Sequence, residues 1–299
     1  MWRRNLPNLG VKGDHRCRMP VGRWIMSVSC KAVPYLLMAW VAVGQSQTFT
    51  TVTITPARSA DPTSERTQLL PNGEWIATAI PVIRLLSTAY DVPVNPSPRM
   101  SSVPNWTVSA RYDIKAQAAA NGISRSTSDS ELRSRIQGMI RGLLTDRFGL
   151  VMKVEQKRMS VYAVTVARGG PKLEKSAIAD EDCAFKTGPE SCHYFVVGLG
   201  HPLNGKAINM DDLAHYIENW TDLPVVNRTA LSGLFTVNTE GWVPMRLPPP
   251  PPNATPGENL FAELPTIFTV LGKLGLELRR QEETVPAYTV EHIERPTAK

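Results

Sequence analysis

Reactive side chains are scarce in this 299-residue sequence, which has five histidines, four cysteines and only 7% aromatic residues. It contains no Gly-x-Ser-x-Gly elbow, no His-Glu-x-x-His helix, no phosphate loop and no Gly-x-Gly-x-x-Gly turn. Their absence removes the enzyme classes that depend on those geometries. Long apolar runs are also missing. The stretch at residues 35–43 is short for a bilayer-spanning helix, and Lys31 interrupts any longer one. Most of the chain has no surplus of basic charge either. Seven of the 33 Lys/Arg but one of the 27 Asp/Glu fall in residues 1–44, so the remainder carries 26 of each. A nucleic-acid footprint on the folded part is therefore not expected.

The clustered charge belongs to an export signal. Arg18, Arg23 and Lys31 precede the apolar run, and Ala42-Val43-Gly44 supplies small residues for cleavage before Gln45. Met19 or Met26 are alternative starts. An uncleaved anchor is the other reading, and it would confine membrane contact to this segment. Cys17 and Cys30 would leave with the signal. Cys183 and Cys192 remain, and in an oxidising compartment they are expected to form a disulfide around the Gly188-Pro189 turn. A zinc site from Cys183, Cys192, His193 and His201 is the sharper alternative, but it lacks a close Cys-x-x-Cys pair.

The body of the chain is built on a recurring pattern. In residues 131–173, Ser128 and Glu131 have capping-box spacing. Leu132, Ile136, Met139, Ile140, Leu143 and Leu144 form an apolar helical stripe that ends near Phe148-Gly149. Two strands follow, at 150–154 and 161–166, joined by a polar hairpin at Gln156-Lys157-Arg158 and closed by Gly169-Gly170-Pro171. An offset of 126 residues carries Gly149, Leu150, Tyr162 and Val164 onto Gly275, Leu276, Tyr288 and Val290 without a gap, which points to a second copy at 264–293. Looser copies lie at 80–116 and at 210–238, the latter after an Asn209 cap.

The expected fold class is α+β, with helix–strand–strand modules packed as small mixed or antiparallel sheets and helices on one face. The divisions are 1–44 signal, 45–120 first module, 121–175 second module and 176–246 third module with the cysteine loop. A proline-rich linker at 247–261 and a fourth module at 262–299 complete the chain. Residues 48–55 read as a strand and 56–73 as a polar loop leading to Trp75 and the first helix. Pro93, Pro96 and Pro98 exclude regular helix over 91–100. Pro104-Asn105-Trp106 places an aromatic at the base of the first module. The Pro248–Pro252 run reads as an extended connector. Asn105, Asn219, Asn227 and Asn253 begin Asn-x-Ser/Thr triplets, a pattern that is common by chance.

Several of these stretches together resemble a known group. They include Thr48-Phe49-Thr50-Thr51-Val52, Ala89-Tyr90, Pro104-Asn105-Trp106, Tyr112-Asp113-Ile114 and Leu143-Leu144-Thr145-Asp146-Arg147-Phe148. Val161-Tyr162-Ala163, Gly169-Gly170-Pro171-Lys172-Leu173, Pro224-Val225-Val226-Asn227-Arg228-Thr229 and Leu231-Ser232-Gly233 add to them. The sequence resembles the soil-associated family of exported bacterial proteins, a domain of unknown function abundant in acidobacterial-type genomes. Some members are joined to, or encoded near, sensors with membrane metallopeptidase domains. Here Asn227 stands where that family usually has Asp, and Ala230 where it has Gly. The 210–238 segment is also similar to the short N-terminal module of secretins and TonB-dependent receptors, which implies a small envelope interaction domain. The family brings no catalytic residues with it.

No residue is thus expected to be catalytic, to bind a cofactor or to ligate a metal. His215 and His292 read as surface residues, Asp146-Arg147 as a helix-end ion pair or cap, and Asp211-Asp212 as acids suited to a helix start. The expected function is non-enzymatic binding of an unidentified protein or envelope ligand in the periplasm or outside the cell, through exposed strand edges. A peptidase-linked sensory domain is the alternative. A hydrolase is a third reading, and it would require His193, His201 and a carboxylate to meet in a polar cleft.

Overall fold

The computed structural model describes residues 48–59, 61–93, 97–119, 129–183, 192–196, 198–246, 261 and 263–296, all within the compact unit Gln45–Lys299. Residues 1–44, read above as an export signal, the proline run, Ser128 and most of the cysteine loop lie outside the described residues. The elements in order are β1 (Phe49–Pro56), a 3-10 turn (Pro62–Ser64), β2 (Arg66–Leu69), β3 (Glu74–Pro81), α1 (Val82–Tyr90), β4 (Met100–Ser101), α2 (Trp106–Ser109), β5 (Arg111–Ala118), α3 (Asp129–Phe148) and β6 (Val151–Val166). Then come β7 (Glu174–Lys175), a second 3-10 turn (Asp180–Asp182), β8 (Gly205–Ile208), α4 (Met210–Glu218), β9 (Val225–Asn227), β10 (Phe235–Val237), α5 (Ile267–Lys273) and β11 (Leu276–His292). The fold is α+β.

Three sheets form, ordered β1-β5-β3-β2, β7-β10-β8 and β4-β11-β6-β9. The first two are antiparallel. The third is mixed, because β4 and β9 add in parallel to the outer sides of the antiparallel β6–β11 pair.

The polar hairpin expected at Gln156-Lys157-Arg158 is absent: β6 runs unbroken through those residues, and β11 does the same opposite it. The reason lies in turn chemistry. Residues 155–158 contain no Gly, Pro, Asn or Asp to reverse the chain. Pairing runs residue by residue from Leu276↔Val166 to Val290↔Met152, so the cross-strand ladder continues through this stretch whatever the side chains. Polar residues are tolerated there because residues 153–158 are exposed. Two smaller expectations also fail. The stretch 56–73 holds β2, and Trp75 lies in β3, which runs directly into α1. The two strands of the 210–238 segment do not form a hairpin, since β9 joins β6 and β10 joins β7 and β8.

The 126-residue offset relates Tyr162 of β6 to Tyr288 of β11, but the antiparallel β6–β11 ladder would map onto itself under any offset and does not test the repeat. The outer strands follow the same relation, with β9 beside Tyr162 and β4 beside Tyr288. Both long strands start after a helix and a glycine in the left-handed region, Gly149 (φ 59°) and Gly275 (φ 69°).

Among the described residues the interior forms two large cores and a small cluster at the disulfide. One gathers Trp75, Leu85, Ile114, Ile140, Leu144 and Phe148, and takes Val290 and Ile293 from the far end of β11. The other gathers Leu213, Ile217, Phe235, Trp242 and Leu271, and takes Val164 from the far end of β6. Each long strand therefore serves both cores. Burial of one such side chain contributes about 1.5–3 kcal/mol, so this sharing couples the halves. The Glu218 carboxylate, fully buried on α4, receives Nε and Nη2 of Arg99 at 2.9 and 2.7 Å and the Ser97 hydroxyl at 3.1 Å.

Candidate functional site

Two helices and one extended segment converge at a cleft of about 410 Å³. The α3 contribution is one face of its first turns, with Ser130, Arg133, Ser134 and Gln137 at helical spacing. From α4 come Asp211, Asp212, His215 and Tyr216, and the third wall is His193-Tyr194-Phe195. Asp91, the left-handed C-cap of α1, closes one end.

Asp212 organises these walls. The Asn209 side chain accepts from Asp212 N at 2.8 Å, and Asn209 N donates back to Asp212 Oδ2 at 2.9 Å, a capping box that starts α4. The same carboxylate receives Arg133 Nη1 at 2.9 Å and His193 Nδ1 at 2.5 Å. One buried acid thereby ties α3, α4 and the 193–195 segment together. Burial pushes its carboxyl up, but the His193 hydrogen bond and the Arg133 charge outweigh this and hold it below the ordinary carboxylate range.

The extended wall is fixed from two further sides. His193 N donates to Ala207 O and Val196 N to Asn204 O, both at 2.8 Å, which lays the segment along β8. Cys183 and Cys192 form a disulfide next to it, packed against Ala207. The expected pairing thus agrees with the structure. It also removes the zinc alternative, because both thiols are consumed. Among the described residues, Asp180, Cys183 and His193 form a group of potential metal donors, but Cys183 is already bonded and only two remain.

Chemically the cleft offers aromatic faces and a lining in which Asp91, Asp211 and Asp212 outnumber Arg133. Phe195 and Tyr216 stack with centroids 4.2 Å apart. Burial, and secondarily the Tyr194 phenol, pushes the Tyr216 hydroxyl up to about 12, so it stays protonated. Its oxygen is buried and has no hydrogen-bond partner among the described residues. His215 faces Asp91 at 3.6 Å and is partly exposed. It is thus a wall residue of the cleft and not merely a surface histidine.

A domain family described as a protein of unknown function (DUF3738) matches residues 83–293, which take in every wall of the cleft, the whole second core and most of the first. The chain belongs to the DUF3738 family. No curated protein and no solved structure matches it. The family match includes Asn227 and Ala230. Asn227 Nδ2 donates to Asp211 Oδ1 at 2.9 Å while its Oδ1 accepts from Thr229 N at 3.0 Å. An Asp here would keep the turn but set two carboxylates against each other. Ala230 sits at φ 55°, a conformation that suits glycine.

Of the residues singled out from sequence, His193, Asp211, Asp212 and His215 meet in this DUF3738 cleft, whereas His201 and His292 do not. His201 stacks on Trp220 at 3.5 Å, and burial lowers its pKa. His292 lies 3.8 Å from Glu294 on the surface. Arg133, Tyr194, Phe195 and Tyr216 carried no motif in the sequence. The polar face of α3 was legible from its periodicity, but nothing in the sequence indicated what that face meets.

Proposed function

We propose that this chain is a non-enzymatic binding protein of the cell envelope or exterior, and that the cleft between α3, α4 and residues 193–195 is its ligand site. One observation carries the reading: three aromatic side chains and a set of polar groups line a preformed cleft whose titratable dyad is committed to structure. His193 Nδ1 is spent on Asp212, and its Nε2 is buried from solvent. A general base must reach a substrate proton, and this geometry keeps the ring from doing so. The hydrolase reading asked for His193, His201 and a carboxylate in one cleft, and His201 lies elsewhere. A disulfide beside the cleft suits an oxidising compartment. Among the described residues no helix is long and apolar enough to cross a membrane.

The test is a thermal melt of the full chain with a low-molecular-weight extract of the envelope, with the extract analysed by mass spectrometry before and after. A ligand at a hundredfold excess over its Kd stabilises by about 2.7 kcal/mol. The expected result is a raised Tm that is lost in Tyr194→Ala, with the extract unchanged. A component consumed and replaced by a product overturns the non-enzymatic reading. A raised Tm that survives Tyr194→Ala moves binding to the open edges of β1 or β2.

A further inference from the structure

Resting on the binding reading above, we infer that the cleft takes a short neutral oligosaccharide. The ring faces come first. Tyr194 is partly exposed and close to Tyr216, which stacks with Phe195 at 4.2 Å. An aromatic face carries the negative part of a quadrupole and attracts the weakly positive C–H groups on one side of a sugar ring. The rim then supplies donors and acceptors together, including Gln137, Ser134, Asp91 and Asp211, as vicinal hydroxyls require.

Charge and polarity weigh against two competitors, an anion and an acyl chain. An anion would meet the exposed carboxylates of Asp91 and Asp211, and the one guanidinium on the wall, Arg133, is paired with Asp212 at 2.9 Å. An acyl chain would strand the polar rim without partners. A cleft of about 410 Å³ falls in the size range of small-ligand sites and is too small for a folded partner.

The experiment is calorimetric titration of the full chain with cellotriose, maltotriose and chitotriose, repeated with trialanine, and with the sugars recovered for chromatography. At least one trisaccharide is expected to bind with a Kd below about 1 mM, intact after recovery. Tyr194→Ala and Gln137→Ala are expected to weaken it about tenfold. Phe195→Ala, which removes the ring stacked on Tyr216, should weaken it about fivefold. Lys157→Ala on the exposed strand pair should change nothing. Binding of trialanine alone, lost in the same variants, overturns the saccharide class and leaves the cleft as a binding site. Trisaccharide binding that all three cleft variants retain overturns the site. No binding of any probe, with the extract's Tm shift intact in Tyr194→Ala, overturns both this inference and the reading it rests on. A shortened sugar after recovery makes the chain an enzyme and overturns the binding reading alone.

Discussion

Asp212 concentrates several jobs in one carboxylate: it caps α4, receives Arg133 and holds His193. Its folded-state pKa is depressed below the ordinary 3.8, so its contribution to stability is fully present above that value. The contribution is lost as pH falls through the lower, folded-state value. Urea denaturation between pH 6 and pH 2.5 should therefore show the wild type losing its advantage over Asp212→Asn as the solution is acidified, with the gap constant above about pH 5. A gap that widened in acid would contradict the assignment. Ala230 gives a second residue-scale prediction. An alanine in the left-handed region costs about 1–2 kcal/mol, part of which glycine returns as unfolded-chain entropy. Ala230→Gly should therefore stabilise by about 0.5–1 kcal/mol in the same assay, since the residue is exposed at φ 55° and no packing is lost.

At the scale of elements, the two glycines that launch the long strands make a matched pair with unequal surroundings. A Cβ on Gly149 would meet only the Glu294 side chain, at 3.4 Å, whereas one on Gly275 would lie 2.2 Å from the Gly170 carbonyl oxygen. Gly149→Ala should cost about 1–2 kcal/mol, the left-handed penalty alone. Gly275→Ala should cost several times more, read as loss of soluble folded protein or a collapsed urea midpoint. Equal effects would show that the tight approach of residues 170–172 is unimportant. These glycines, the stripe of α3 and the Asn209 cap were legible from sequence because each is a local signal. The continuity of β6 was not. Its ladder partner lies more than a hundred residues away, and an exposed two-stranded ribbon has no buried face to impose alternation on its sequence. The cleft was half legible for the same reason. His193 and Asp212 stood out as chemical types, but their meeting depends on how α3 crosses α4.

Among the described residues, the halves are joined by the shared long strands, by Arg133–Asp212 and by the buried Arg99–Glu218 ion pair. Removing the cation from Arg99–Glu218 would leave a carboxylate that has no exposed surface of its own. Arg99→Ala should therefore destabilise by about 3–5 kcal/mol, while the double change Arg99→Met with Glu218→Leu should be far milder. A loss below about 1 kcal/mol for the single change would mean the joint is solvated in solution. Stability of this joint matters to the cleft, because Glu218 closes the same helix whose first turns carry Asp212 and Tyr216. The central claim, that this cleft is where the chain binds, is tested most directly by hydrogen–deuterium exchange of the full chain with and without a trisaccharide that binds it. The account predicts slowed exchange confined to residues 130–137, 192–196 and 209–216. Protection along β1, β2 or β9, with those three segments unchanged, would contradict it.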